Sequence, residues 1–135
     1  MDQQTRPRPG PAGIAIAGAG IALICVIAYC GMIPDQADVT SAARATAYEL
    51  ERTPVQGLGI NIFDVQQALS MGARRGASNI KVRDAGRDAD KNDLYEFTNS
   101  RGDYPVCMTV HLDIDLLDDS PSFPSATVEQ GRCPG

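Results

Sequence analysis

The chain has 135 residues, a formal net charge of −5 at pH 7, four cysteines and one histidine. That length sets a prior of one domain. The acidic balance, with no basic stripe to collect phosphates, speaks against nucleic acid as a partner, and the lone histidine excludes a triad or a histidine-rich metal site. Residues 1–13 carry Arg6, Arg8, Pro7, Pro9 and Pro11. This composition predicts an extended, disordered tail.

Residues 14–33 (IAIAGAGIALICVIAYCGMI) contain no charge and no strongly polar side chain. Twenty residues at about 1.5 Å each span roughly 30 Å, the thickness of a bilayer's hydrocarbon core. A helix satisfies its own backbone hydrogen bonds in lipid, so the segment predicts a transmembrane helix. Pro11 and Pro34 flank the run without interrupting it. Arg6 and Arg8 precede it, while Asp35 and Asp38 follow. Positive charge stays on the cytoplasmic side. The expected layout is therefore a single-pass plasma-membrane protein, with residues 1–13 inside and residues 34–135 outside.

Small residues recur along the span at Ala15, Gly18, Ala19 and Ala22. Such a face lets a second transmembrane helix approach closely, either another membrane protein or a second copy of the chain. Cys25 and Cys30 fall inside the apolar run, where a free thiol behaves as a small apolar group.

Three other readings compete for this segment. A cleaved secretory signal needs an apolar run shorter than this one, and its best cleavage pattern is Ala28-Tyr29-Cys30. Cleavage there would release a secreted protein. Lipoprotein processing at Cys30 would follow Tyr29, where such signals carry Gly or Ala. The stretch also resembles a dinucleotide-binding first strand, with Gly18-Ala19-Gly20 and Asp38 about twenty residues on. The third small position of that fingerprint is Leu23, and no alternation of strands and helices follows.

Removing Asp2, Arg6 and Arg8 leaves 16 acidic against 10 basic residues from Pro34 onward, a balance of −6. A helix is predicted over 38–52, with Val39, Ala42, Ala43, Thr46 and Leu50 on one face. Asp38 is its expected cap, and Thr53-Pro54 ends it. A loop with Gly57 and Gly59 leads to a second helix over 62–75. Asn61 caps this helix, Ile62, Val65, Leu69 and Gly72-Ala73 form its buried stripe, and Gly76 stops it.

The period then changes to two. Residues 79–84 alternate Ile80 and Val82 with Lys81 and Arg83, and residues 94–99 place Tyr95 and Phe97 on one face. Ser100-Arg101-Gly102-Asp103 reads as a hairpin turn. The longest predicted strand follows, with Val106, Met108, Val110, Leu112 and Ile114 facing one way. Cys107, Thr109, His111, Asp113 and Asp115 face the other. A proline-containing loop over 120–125 precedes an edge strand at 126–130. The expected fold class is α+β: a transmembrane helix, then two helices packed on an antiparallel meander.

Outside the cytoplasm, Cys107 and Cys133 predict one disulfide, which argues against a catalytic thiol. Arginine outnumbers lysine ten to two, a composition that resembles proteins of GC-rich actinobacterial genomes.

Three short patterns invite chemistry. His111, Asp113 and Asp115 share a strand face, with Asp118 and Asp119 beyond, as candidate metal ligands. Neighbours two apart lie nearly 7 Å from one another, and a wet sheet face shows the same alternation. Asp88, Asp90 and Asn92 resemble the opening of an EF-hand loop, but Asp93 stands at the glycine position and Asn99 at the glutamate position. Arg101-Gly102-Asp103 matches an integrin-binding tripeptide, although a hairpin turn needs its glycine anyway.

No nucleophile motif, P-loop or zinc motif is present, and no cofactor is expected. The expectation is a non-enzymatic, membrane-anchored accessory or interaction protein. The alternatives are a metal-dependent enzyme or calcium-binding domain using the acidic patterns, or the secreted protein.

Overall fold

The computed structural model describes residues 33–55, 59–73, 77–113 and 120–135, which belong to one compact unit, Ile33–Gly135. Of the expected transmembrane span, only Ile33 is among them; the tail 1–13 and the small-residue face Ala15, Gly18, Ala19 and Ala22 lie outside the described residues. Among the described residues no helix is long and apolar enough to cross a membrane.

Helix α1 spans Gln36–Arg52. Its cap is Asp35, not Asp38: the Asp38 N–H donates to the Asp35 carboxylate at 2.9 Å, and Asp38 accepts the Asp35 N–H at 3.1 Å. This reciprocal box needs an acceptor at each end of a three-residue step, which Asp35 and Asp38 both supply. The helix ends where Thr53 becomes extended before Pro54, as predicted. Val39, Ala42, Ala43, Thr46 and Leu50 are buried along it, and the Thr46 hydroxyl donates to the Ala42 carbonyl at 2.8 Å. That bond lets a polar side chain sit in the core without an orphan group.

Helix α2 spans Ile62–Gly72 and begins with a second capping box, between Asn61 and Asp64. It ends three residues before the predicted Arg75, with Ala73 as its C-cap; Gly76 lies outside the described residues. Gly72 explains how the two helices pack. A Cβ there would lie 2.8 Å from the Ala45 carbonyl oxygen, so the backbones meet where a side chain would clash. Replacing Gly72 by alanine is expected to cost about 1–3 kcal/mol through overpacking. The measure is a lower urea midpoint at unchanged m.

The sheet is a four-stranded antiparallel meander in the order β1-β2-β3-β4, comprising Ile80–Arg87, Asp93–Asn99, Val106–His111 and Ser125–Gln130. Strand β1 runs past the predicted Asp84 through a bulge, where Gly86 takes φ +91°. Strand β3 stops at His111, shorter than the predicted run to Asp115; residues 114–119 lie outside the described set.

The inner face carries Tyr95, Phe97, Val106, Met108 and Val110 against Val39, Ala43, Leu50, Val65 and Leu69 of the helices. Helix α1 lies over β4 and β3, and α2 lies toward β1. The buried Tyr95 hydroxyl donates to the Ile60 carbonyl at 3.1 Å. Burial, then the nearby charges of Asp93, Asp84 and Asp64, push its ionisation well above the usual range.

Two poles result. Pro34, the start of α1 and the β2–β3 turn share one end, because the Asn99 amide donates to the Pro34 carbonyl at 3.2 Å. The β1–β2 turn, the end of β3 and the end of α1 lie at the other. There the Val55 N–H donates to Ser122 at 2.9 Å, and the Ala126 N–H donates to Glu51 at 3.0 Å.

Candidate functional site

At the pole opposite Pro34, the β1–β2 turn is built around one carboxylate. Asp88 Oδ1 accepts the N–H of Asp90 and of Asn92, each at 2.9 Å, and Oδ2 accepts the Asn92 side-chain amide at 2.8 Å. Lys91 completes the reversal with φ 66°. Both Asp88 oxygens, which an EF-hand loop would turn toward calcium, are thus engaged within the turn. Asp93 opens β2 and pairs with Arg87 at 2.7 Å, while Asn99 is buried at the far pole. The Asp88-x-Asp90-x-Asn92 pattern also serves the donor–acceptor needs of this hairpin.

The same turn holds the single histidine. Because the Asn92 Nδ2 donates to Asp88, its Oδ1 faces His111 Nδ1 as an acceptor at 2.7 Å. His111 Nδ1 therefore carries the proton in the neutral ring, and Nε2 holds the lone pair. His111 is exposed at the end of β3, and the exposed Asp113 lies beyond the strand. Asp115, Asp118 and Asp119 lie outside the described residues. Among the described residues no group of three possible ligands is brought together.

Hydrogen bonds from the Asn92 side chain and then its backbone hold the Asp88 carboxyl below the usual range. A depressed folded-state value adds stability that is full above the unfolded value and is lost as pH falls through the folded one. Asp88→Asn is expected to flatten the loss of stability as pH falls from the ordinary carboxylate range through the lowered folded-state value. Urea midpoints of parent and variant across that range measure the difference.

Beside this pole lies a cleft of about 380 Å³ between the two helices and the β3–β4 connection. Leu50, Val55, Ile60, Ala68, Met71 and Pro124 line it, together with Asp64 and Gln67. Phe123, in the connection, is half exposed. A second groove, about 720 Å³, follows the edge strand β1 past Leu69, Ile80 and Val82. Lys81 and Arg83 on that strand discourage another strand from adding to the edge.

The outer sheet face departs from the simple polar alternation. Cys107 and Cys133 form the predicted disulfide, with Cα atoms 4.9 Å apart. The bridge draws the C-terminal tail across β2 and β3, where Glu96 is 4% exposed and Leu94 1%. Glu96 Oε1 accepts Arg83 Nε and Nη2 at 3.0 and 2.9 Å, and Oε2 accepts the Cys133 N–H at 3.3 Å. This clamp joins strands β1, β2 and β3 to the tail. Nothing in the strand period marks Glu96 as buried, because the cover comes from 37 residues away.

At the Pro34 pole, Asn99 is 1% exposed and does three jobs. It donates to Pro34, and its Oδ1 accepts the N–H of Arg101 at 3.0 Å and of Asp103 at 2.9 Å. An Asx residue at the head of a glycine turn is a readable signal for this role. Arg101-Gly102-Asp103 is the expected turn, with Gly102 at φ +86°. Of the dinucleotide-like pattern, Gly18, Gly20 and Leu23 lie outside the described residues, and Asp38 is occupied in the α1 capping box. Compared with known proteins, the chain matches no family model, no curated protein and no solved structure.

Proposed function

We propose that the chain is an accessory or interaction protein held at the plasma membrane by residues 14–33, with residues 34–135 facing the extracytoplasmic side. The observation that carries this reading is the Cys107–Cys133 disulfide. Such bridges form and persist in oxidising compartments, so the domain belongs on the side of the membrane where the arginine asymmetry of the flanks would deliver it. Contact with partners is assigned to the small-residue face Ala15, Gly18, Ala19 and Ala22 and to the open parts of the sheet's polar face.

Two measurements test the layout. Protease added to intact cells should trim the acidic domain, and alkaline carbonate should leave the chain with the membrane. Failure of either sinks the proposal. The intact protein extracted in mild detergent should carry a partner or a second copy, and Gly18→Leu should release it. A strictly solitary chain would count against the interaction role.

A further inference from the structure

We infer that the β2–β3 hairpin is a lipid-contacting foot: Arg101 and Tyr104, pinned through Asn99 to Pro34, rest in the headgroup layer of the bilayer. This inference rests on residues 14–33 being a membrane anchor, as proposed above.

The first argument is placement. Ile33 ends the apolar segment of the sequence and is also the first residue of the compact unit. The buried Asn99 amide binds the carbonyl of the very next residue, Pro34. The same side chain organises the turn by accepting the N–H groups of Arg101 and Asp103. The hairpin tip is thereby held next to the point where the chain leaves the apolar segment. A rigid side chain, not a loose loop, sets that distance.

The second argument is the character of the tip. Tyr104 is a large aromatic with 44% exposure, and its φ of 56° lies in the left-handed region that disfavours bulky side chains. The domain covers about half of this residue and leaves the rest of the ring at the tip in the open, although glycine would relieve the backbone. Strain kept at an exposed aromatic points to a use outside the domain's own packing. Tyrosine partitions to membrane–water interfaces, ring toward the acyl chains and hydroxyl toward water, and arginine reaches phosphates from the same depth. Asp35, Asp38 and Asp103 share this pole with Arg101 and Arg132. Its charge is therefore mixed, so interfacial seating and not bulk electrostatic attraction is the mode.

The chain contains no tryptophan, which makes a direct test available. Full-length Tyr104→Trp and Phe123→Trp each carry a single reporter, one at each pole. Each is reconstituted in vesicles of equal parts phosphatidylcholine and phosphatidylglycerol, with bromine-labelled acyl chains as quencher. The expected result is blue-shifted, severalfold stronger quenched emission from Tyr104→Trp than from Phe123→Trp. Arg101→Trp, at an exposed turn position, is a second reporter of the same foot should Tyr104→Trp fail to fold. Equal quenching at both poles, or none in a chain that floats with the vesicles, overturns the foot and leaves the anchor standing. A chain that does not float overturns the anchor reading, and the foot with it.

Discussion

Replacing both Cys107 and Cys133 by alanine is expected to lower the unfolding free energy by about 3–4 kcal/mol on the chain-entropy estimate. The bridge closes a sequence separation of 26 residues, so the oxidised unfolded chain is denied much of its freedom. A domain of this size holds on the order of 5–15 kcal/mol in total, so the loss is a large share. The urea midpoint should fall, and m should rise because the unlinked unfolded chain exposes more surface. Edge strand β4 should be the first to suffer. Only Ala126 and Val128 of its residues pack against the core, while Ser125, Thr127, Glu129 and Gln130 are exposed. Without the bridge, amide exchange over 126–130 should accelerate ahead of β2, whose protection should track global unfolding. Uniform acceleration across the sheet would show that the bridge acts on the whole domain and not through β4.

How much of this was legible in the sequence follows from which interactions are local. Both helices and the four-strand meander were readable because burial imposes a period near 3.6 on α1 and α2 and a period of two on Val106, Met108 and Val110. The Thr53-Pro54 stop was readable because the steric cause lies within the dipeptide. The α1 cap was misplaced by three residues because both members of a capping box are good acceptors, and the pattern does not rank Asp35 above Asp38. The end of β3 was overshot because Leu112 and Ile114 continue the alternation after the strand stops at His111.

The candidate residues divide the same way. Cys107 and Cys133 could be paired by elimination, since the other two cysteines fall in the apolar run. His111 has a neighbour that its own strand does not reveal. Its hydrogen-bond partner is Asn92, 19 residues away across the meander. Glu96 was missed because its burial depends on where the tail is tied down. Asn99 was missed as a strut because its partner Pro34 lies 65 residues earlier. Long-range polar contacts of this kind leave no periodic trace, and they hold the hairpin and the tail in place.

Truncating Phe97 to alanine is expected to cost about 3–5 kcal/mol, a large single-residue effect for a domain of this size. Phe97 is fully buried, pairs in register with Val82 on one side and Val106 on the other, and belongs to the cluster that joins both helices to the sheet. The cavity cannot close easily, because its neighbours sit on hydrogen-bonded strands. Phe63→Ala makes the contrast: that ring is 74% exposed on the first turn of α2, and its loss should stay within about 0.5 kcal/mol. Phe97 and Cys107 occupy opposite sheet faces but are diagonal neighbours on paired strands, so their simple sum of about 6–9 kcal/mol is the reference from which any coupling departs. That sum approaches or exceeds what a hundred-residue domain can spare. Oxidised Phe97→Ala should therefore remain folded by circular dichroism while its reduced form unfolds without denaturant. A reduced variant that keeps its native near-ultraviolet signal would mean that the bridge contributes far less than its loop length implies.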